Sequence, residues 1–533
     1  MAKSKTKKVS KPNPKFKKAL LFIYPIVLIL IFAKVYPYIF DEKIDMNGDN
    51  AKYYQVAKSL ADGNGFSWAM YKGNPPANYP PGYVFFLSFF MLFTKSITTL
   101  KVINGFLLLS SSLLLFFVIK ALSSNMHFAL IVSVFLLLHA NVLRFSSMMM
   151  SEMLYMFISI LTLYFLMKMD YSSPPWKNKK FYFVVLLSAY AYYIRPQGIS
   201  LIGGILFLYF FTWNWKYLFS GAIGFVLLII PWRIRNHMAG FSGSYHAGGI
   251  MLKNSFRPEE GQATLSDFIE RIGNNLESYI TNQVPGSLFY YLKLENVNVE
   301  PQTYHWVIGL AIIGLIVFGI IKFPRLKLFF TGYLLANMAA LLIIPYGVAA
   351  DGRYFITFIP FLLMAFFWGL YSIIAVLLKL KSNNAVQLIP YLFLLFLIPV
   401  SQGIKRNHNV AKAKLNPNYQ AYYDIAKVVN EKTEKNTVIC CRKPGLFYIY
   451  AERPVTNYLK TSDNKELIQG LINNEVDYVV LDQLGYSSTG LYLYPAIKNN
   501  PTLFPVVLKM GDPETYLLQF KRNEAEQMLN AEE

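Results

Sequence analysis

The chain has 533 residues, of which 54% are hydrophobic and 15% are charged, and its mean hydropathy is +0.34. Soluble domains carry about 25% charged residues, so this composition excludes an ordinary soluble protein and indicates a membrane protein. The net charge of +21 raises the question of nucleic acid. The basic residues, however, mostly stand at the ends of apolar runs, where they set topology or meet anionic lipid. We therefore expect a lipid bilayer as partner and no nucleic acid.

A lysine-rich tail, residues 1–18, precedes the first apolar span. This span runs from about Ala19 to Phe40 and is long enough to cross a hydrocarbon core of ~30 Å. It continues past the length of a signal-peptide core and offers no clear cleavage site, so we interpret it as an anchor. The positive-inside rule then predicts a cytoplasmic N-terminus.

The first outer loop, residues 41–99, is the most polar part of the N-terminal half. Asp49, Lys52 and Tyr53 follow the i, i+3, i+4 spacing of one helix face. A carboxylate can take a proton from an attacking hydroxyl, and a lysine one turn later can hold a phosphate as a point charge. Alternatively, Asp49 only caps the helix that follows, contributing ~1 kcal/mol. The spacing leaves both interpretations open.

Other residues of this loop have secondary roles in the prediction. Asp41 and Asp45 are both more typical of caps or solvated loop acids, and of the two only Asp45 is kept as a further candidate for a site contact. The corner Pro80-Pro81-Gly82 would return the chain to the membrane. The apolar run Gly82–Phe93 is too short to span the bilayer and is typical of an interfacial or re-entrant segment.

Ten further apolar segments bring the predicted total to eleven spans. They are approximately Lys101–Leu122, Phe128–Leu143, Glu152–Lys168, Phe181–Ile194, Gly198–Trp213, Lys216–Trp232, Trp306–Ile321, Leu326–Ile344, Tyr354–Leu378 and Val386–Gln402. A second outer loop covers residues 235–304, and the membrane region as a whole covers residues 19–404. An odd number of spans predicts an external C-terminus, and most lysine clusters then fall on the cytoplasmic side.

Residues 405–533 have a different pattern, which predicts a small external α/β domain. Its expected strands and helices are Thr437–Cys441, Tyr478–Leu481 and Thr515–Phe520, and Tyr423–Lys432 and Lys465–Asn473, respectively. Cys440 and Cys441 are adjacent, and neither they nor the six histidines show metal-ligand spacing.

With this topology, most of the unusual charges fall at the outer membrane face. These charges are Glu152, Arg195, Arg233, Arg235, Asp351 and Arg353. Charges beside the hydrocarbon are costly and usually functional or paired. Each has a simpler interpretation alone, as a helix N-terminal acid for Glu152 or an interfacial anchor for an arginine. Their convergence favours a site for an anionic group on a lipid-soluble molecule.

Several motifs, in order, resemble those of the GT-C membrane glycosyltransferases. They are GDNAKYYQVAKSLADGNGF, NYPPGYVFFLS, SEMLYMF, YIRPQG, PWRIRN and DGRYFITFIP. The resemblance covers residues 19–380 and is strongest to the bacterial branch that is similar to protein O-mannosyltransferases and the lipid A aminoarabinose transferase. It implies a polytopic α-helical fold in the bacterial inner membrane, a polyprenyl-phosphate-linked sugar as donor and a glycan, lipid or protein as acceptor.

The resemblance also implies roles for individual residues. Asp49 corresponds to the catalytic base and Lys52 to a basic residue that binds the donor phosphate. Relatives often carry Asp-Glu where this chain has Asp49-Asn50, which weakens a two-carboxylate metal site. We therefore expect metal-independent chemistry and no cofactor, although a divalent metal is not excluded.

A second departure concerns the phosphate. Some relatives carry a lysine or arginine before the Pro-Pro corner, where this chain has Tyr79, so Arg235 and Arg353 are expected to supply the contact. Further substrate contacts, or contacts that support them, are expected from Asp45, Tyr53, Tyr83, Glu152 and Arg195.

Two other classes of function stay open at this point. A transporter or flippase of lipid-linked glycans would place polar residues near the bilayer midplane, whereas these charges cluster at one face. A non-catalytic partner in an envelope assembly would not need the carboxylate of Asp49. The sequence indicates neither the sugar nor the acceptor.

Overall fold

The computed structural model describes residues 14–44, 48–241, 247–254, 257, 260–294, 300–345, 352–378 and 383–532, and the statements below concern these residues. The α-helices up to residue 412 are α1 (Pro14–Ile39), α2 (Asp49–Ala61), α3 (Pro81–Met91), α4 (Ile97–Ser123), α5 (Met126–Leu138), α6 (Ala140–Ser146), α7 (Glu152–Leu166), α8 (Lys179–Ile194), α9 (Ile199–Phe211), α10 (Trp215–Met238), α11 (Ala247–Met251), α12 (Leu265–Ser278), α13 (Val284–Leu288), α14 (Thr303–Lys322), α15 (Lys327–Leu342), α16 (Ile359–Leu377), α17 (Asn383–Leu388) and α18 (Leu397–Lys412). Shorter 3₁₀ or π turns include Pro196–Gly198, Tyr279–Gln283, Gly352–Phe358 and Ile389–Phe396.

Six helical segments among the described residues are long and apolar enough to cross a membrane, or seven if one bent pair is counted as a span. The six are Lys18–Ile39, Ile97–Ser123, Trp215–Met238, Thr303–Lys322, Gly352–Leu377 and Ala385–Lys432. The apolar segments predicted from the sequence all fall on helical structure, but α7, α8, α9 and α15 are shorter than these six. The architecture is therefore that of a polytopic helical membrane protein, while the count of eleven spans stays a prediction.

The segment predicted as one span from Phe128 to Leu143 is instead broken at His139, where α5 and α6 meet at a bend of 60°. The Val142 amide donates a hydrogen bond to His139 Nδ1 at 3.4 Å, and His139 Nε2 donates one to the Ser287 carbonyl at 2.6 Å. The side chain thus takes over backbone hydrogen bonding at the break, which allows a sharp kink without proline.

Helices α14 and α16 pack at backbone distance. A Cβ atom on Gly319 would lie 1.8 Å from the Ala365 carbonyl oxygen, and one on Gly369 would lie 2.3 Å from the Leu315 carbonyl oxygen. Small residues let membrane helices approach in this way. This close packing helps to fix the position of the 3₁₀ turn Gly352–Phe358, which leads into α16 and carries Arg353.

The C-terminal region, residues 417–532, contains a mixed five-stranded sheet. Its elements are α19 (Pro417–Lys432), β1 (Ile439–Cys440), α20 (Pro444–Ala451), β2 (Val455–Thr456), α21 (Asn464–Asn473), β3 (Tyr478–Leu481), α22 (Tyr494–Asn499), β4 (Val506–Met510), β5 (Thr515–Gln519) and α23 (Arg522–Glu532). The strand order is β2-β1-β3-β5-β4, with β1 parallel to β2 and β3, and β5 antiparallel to β3 and β4. The predicted strands correspond to β1, β3 and β5, whereas β2 and β4 are additional.

The C-terminal region lies against the segment that joins α2 to α3. The Val455 amide donates to the Met70 carbonyl at 2.8 Å, and Lys72 forms an exposed ion pair with Glu475. These contacts join the edge of the sheet to the loop that follows α2.

Candidate active site

Helix α2 carries the predicted base in its first turn. The helix begins at Asp49, and Gly48 occupies the cap position with φ of +91°, a left-handed conformation that glycine adopts without steric cost. No side-chain hydrogen bond caps the helix. Asp49 therefore stands in the first turn of α2, one residue after the cap position.

Asp49 instead belongs to a series of ion pairs. Arg353 donates from Nη1 to Asp49 Oδ2 at 2.8 Å and from Nε to Glu152 Oε1 at 2.6 Å. Arg195 donates to the same Glu152 oxygen at 2.6 Å. The Lys52 ammonium lies 3.6 Å from Asp49 Oδ1. We call these five residues the ion network.

Burial increases along the ion network from Asp49 to Glu152. The Asp49 side chain is 22% exposed, that of Arg353 is 12% exposed and that of Glu152 is fully buried. Three cations and two carboxylates give the network a formal net charge of +1. The arrangement presents a partly exposed carboxylate beside surplus positive charge, which suits an anionic ligand with a reacting hydroxyl nearby.

Ser151 and Tyr53 connect α7 to α2 beside the network. The Ser151 hydroxyl oxygen accepts from Arg195 Nη1 at 3.0 Å and from the Tyr53 hydroxyl at 3.1 Å. Glu152 starts α7, where the helix dipole favours an acid. Sequence reasoning gave Ser151 no role, since a serine before a helix is too common to single out.

Tyr83 supports Tyr53 from behind. Their rings meet edge to face at a centroid distance of 4.9 Å, and the Tyr83 hydroxyl donates to Asn104 Oδ1 at 3.1 Å. Asn104 in turn donates to the carbonyls of Met148 and Met150 at 2.5 and 2.9 Å. Tyr83 is fully buried. Through Asn104 it helps to position the loop that leads to Ser151.

Arg235 lies in α10 and contacts the segment that joins α2 to α3. Its guanidinium donates to the Phe66 carbonyl at 2.9 Å and to the Ala77 carbonyl, and it lies over the rings of Phe66 and Trp232 at 5.3 and 4.9 Å. Its contacts among the described residues thus hold the ends of the Phe66–Ala77 segment together. The structure does not bring Arg235 into contact with the ion network.

Lys52 also lies over the ring of Tyr79, at 5.9 Å from the centroid. Its ammonium is therefore near Tyr79, which occupies the position before the Pro-Pro corner at which some members of the resembled family carry a lysine or arginine. Of the other predicted residues, Asp45 and Asp351 lie outside the described residues. Within the described ranges, no three His, Cys, Asp or Glu side chains form a group that could hold a metal ion.

The structure also brings Lys443 to the N-terminus of α2, which the sequence did not predict. A Cβ atom on Gly48 would lie 3.6 Å from Lys443 Nζ. Arg442 and Lys443 precede α20, and the Gly445 carbonyl accepts from Gln55 Nε2 of α2 at 3.4 Å. A pair of basic residues directly after a short strand was the one available signal.

Two of the most similar solved structures are crystal structures of ArnT from Cupriavidus metallidurans. The structure bound to undecaprenyl phosphate matches with a TM-score of 0.58 and 13% identity, over 95% of this chain and 98% of that one. The apo structure matches with a TM-score of 0.56 and 11% identity, over 95% and 99% of the two chains. No family model and no curated protein sequence matches this chain. The match shows that the chain has a fold like that of ArnT over nearly the whole length of both chains.

Proposed function

We propose that this GT-C-like chain is an inverting glycosyltransferase that moves a sugar from a polyprenyl-phosphate carrier to an acceptor hydroxyl at the outer face of the bacterial inner membrane. One observation carries the proposal: the partly exposed Asp49 carboxylate is held by Arg353 at the edge of a positively charged network. The similarity to ArnT, crystallised with undecaprenyl phosphate, supports the choice of carrier. Nucleotide sugars are absent outside the cytoplasm, so an activated sugar must arrive there on a lipid.

Asp49 acts as the general base in this proposal. Arg353 binds Oδ2 and fixes the orientation of the carboxylate, while Oδ1 faces the more exposed side chain of Lys52. An acceptor hydroxyl that loses its proton to Asp49 attacks the anomeric carbon. The carbon–phosphate oxygen bond breaks on the opposite side, which inverts the configuration, and the polyprenyl phosphate leaves with the bonding electron pair.

Lys52 and Arg353 stabilise the leaving phosphate. The charge on the phosphate grows as the bond to the sugar breaks, and fixed cations beside it lower the barrier without reorganisation. The formal charge of +1 on the ion network is matched by one additional negative charge. A donor phosphate would compete with Asp49 for Arg353, which couples donor binding to release of the base.

Glu152 and Arg195 position these groups. Glu152 Oε1 receives hydrogen bonds from both arginines, so it fixes Arg353 relative to Arg195. Arg235 is included as a phosphate contact from the resemblance alone. In the structure it instead holds the two ends of the Phe66–Ala77 segment, which lies between α2 and α3.

The decisive experiment compares wild type with Asp49→Asn. Asparagine keeps the size of the side chain but cannot accept the proton, so transfer from a panel of polyprenyl-phosphate sugars to membrane extracts should fall by ~100-fold or more. Asp62→Asn is the matched control, because Asp62 ends the same helix and pairs with Lys95 on the surface.

The outcomes separate the three functions. Equal transfer by wild type and Asp49→Asn, with both folded, would remove Asp49 as the base. Binding and translocation of lipid-linked sugar without any transfer would favour a flippase. Neither binding nor transfer by folded protein would favour a non-catalytic partner.

A further inference from the structure

Two adjacent cavities lie where α1 ends and α4 begins. The larger, which we call the apolar groove, has a volume of about 660 Å³ and is lined by α1, α4 and the C-terminal end of α18. Its lining includes Phe32, Phe40 and Phe106, and also Lys412. The smaller, which we call the polar pocket, has a volume of about 90 Å³. Lys43 lines both cavities, so the two are contiguous.

The apolar groove lies on the flank of two membrane spans. Helices α1 and α4 are both long and apolar enough to cross a bilayer, and the Phe106 side chain is 56% exposed. The rings of Phe32 and Tyr36 stack at a centroid distance of 4.8 Å. The Tyr36 hydroxyl donates to the carbonyls of Lys101 and Ser146 at 3.2 and 3.1 Å. These bonds fix the aromatic wall, so the groove is already formed and faces the hydrocarbon of the bilayer.

The polar pocket carries surplus positive charge. Among the described residues that line it, three are cations, Lys43, Lys101 and Arg144, and one is a carboxylate, Asp41. Asp41 pairs with Lys43 at 2.8 Å. Lys101 is only 2% exposed, and its ammonium donates to the Lys43 carbonyl at 2.6 Å and to the Asp41 carbonyl. Charges beside the hydrocarbon are costly, and an excess of cations there favours an anionic partner.

The pocket also has the size and the neighbours of a head-group site. A water molecule takes up ~30 Å³ in the liquid, so the pocket is large enough for a phosphate group. Ser147 and Met148 belong to its lining, and the same segment leads to Ser151 and Glu152. Asn104 holds this segment through the Met148 carbonyl. A head group in the pocket would therefore contact the segment that leads to the ion network.

We propose that the two cavities form a binding site for an anionic diacyl phospholipid, such as phosphatidylglycerol. Its phosphate occupies the polar pocket, and one of its acyl chains lies in the apolar groove. Basic pockets between membrane helices recognise anionic head groups, and an apolar wall beside the hydrocarbon gains by covering a chain. None of the five residues of the ion network is among the described residues that line either cavity. The phospholipid is thus a bound structural lipid rather than a reactant, and the assignment does not depend on the proposed transfer reaction.

Native mass spectrometry of the full chain in detergent micelles tests the head-group site. The probes are phosphatidylglycerol and phosphatidylcholine with the same acyl chains. One phosphatidylglycerol should bind about tenfold tighter than phosphatidylcholine, and Arg144→Gln and Lys412→Gln should each weaken it about fivefold. Arg144→Lys should retain most of the affinity. Lys405→Gln is the matched control, because Lys405 is an exposed lysine of α18 that lines neither cavity.

A second variant tests the groove without a change of charge. Ala33 is an exposed residue of α1 that lines the groove, so Ala33→Trp should fill the space of the acyl chain and abolish the preference for phosphatidylglycerol. Leu30→Trp is its control, because Leu30 is an exposed residue of the same helix outside the groove. Both substitutions lie at exposed positions, and unchanged melting of the lipid-free protein shows that each variant is folded.

Several results would overturn the proposal. Equal affinity for the two phospholipids would reduce the groove to ordinary contact with the bilayer. Unchanged phosphatidylglycerol affinity in folded Arg144→Gln and Ala33→Trp would remove the site. Displacement of the bound phospholipid by an equimolar amount of polyprenyl phosphate would assign the cavities to the donor instead. Asp49→Asn should bind phosphatidylglycerol as wild type does, so failure of the proposed transfer function would leave this measurement unaffected.

Discussion

Glu152 allows the sharpest test of the ion network. Glu152→Gln keeps the size of the side chain but removes the negative charge between Arg195 and Arg353. The three side chains are 0%, 9% and 12% exposed, and both guanidiniums donate to the same oxygen at 2.6 Å. Removing one partner of a buried ion pair leaves the other charges uncompensated and costs about 3–5 kcal/mol. We expect a loss of this size in the free energy of unfolding.

The assay is chemical denaturation in mixed micelles, followed by tryptophan fluorescence. Glu475→Gln is the control, because Glu475 pairs with Lys72 at an exposed site and solvent screens that pair. The loss caused by Glu152→Gln should shrink when Arg195 is replaced by methionine, since one of the stranded charges is then absent. Equal stability of Glu152→Gln and wild type would refute the electrostatic account of the network.

Three further predictions concern other parts of the chain. Asp482→Asn should stabilise the protein by about 3 kcal/mol above pH 7 and should not change its stability below pH ~4. The reason is that folding raises the pKa of Asp482 from 3.8 to about 6, so ionisation of this buried acid destabilises the fold of the wild type as the pH rises. Gly319→Val should lower the melting temperature strongly, since even a Cβ would overlap the Ala365 carbonyl oxygen. Arg235→Gln should speed proteolysis within the Phe66–Ala77 segment, because it removes hydrogen bonds to both ends of that segment.

The predictions for Gly319→Val and Arg235→Gln each have a control variant within the chain, and that for Asp482→Asn has a result that would contradict it. The pH dependence of Asp482→Asn is measured by thermal unfolding, and a stability gain that is constant from pH 4 to 8 would contradict it. Gly314→Val lies on the same helix with nothing within 4 Å of its Cβ, so it should melt as wild type does. Arg233→Gln removes only an exposed bond to Tyr192 and should leave proteolysis unchanged.

The sequence was sufficient to predict the local parts of the structure. Hydrophobic runs predicted the positions of the membrane helices, and helical spacing placed Asp49, Lys52 and Tyr53 together on α2. The break at His139 was missed, because apolar residues continue on both sides and the cause is a hydrogen bond to Ser287, 148 residues away. The strand β2 was missed because its two residues leave little periodic signal. The strand β4 is as long as β5, but it is a largely exposed edge strand without a clear alternation of apolar and polar residues.

The pairing within the site depended on long-range packing. Glu152 was singled out as an acid at a helix start, but its partners Arg195 and Arg353 lie 43 and 201 residues away in the chain. The predicted membrane topology indicated that these charges meet at one membrane face. It did not indicate which carboxylate pairs with which arginine or lysine. Arg235 shows the limit most clearly, since a motif that placed it near a phosphate gave no indication of its contacts with Phe66 and Ala77.

The meeting of Gly445 with Gln55, across 390 residues of chain, has a consequence for biogenesis. N-terminal segments emerge first during synthesis, so α2 is made long before the loop around Lys443 exists. The closing of this long-range contact is therefore a late event, which follows synthesis of the C-terminal region. A half-made chain would hold the proposed base on a helix that lacks this contact. Catalytic competence would then coincide with completed assembly in the membrane.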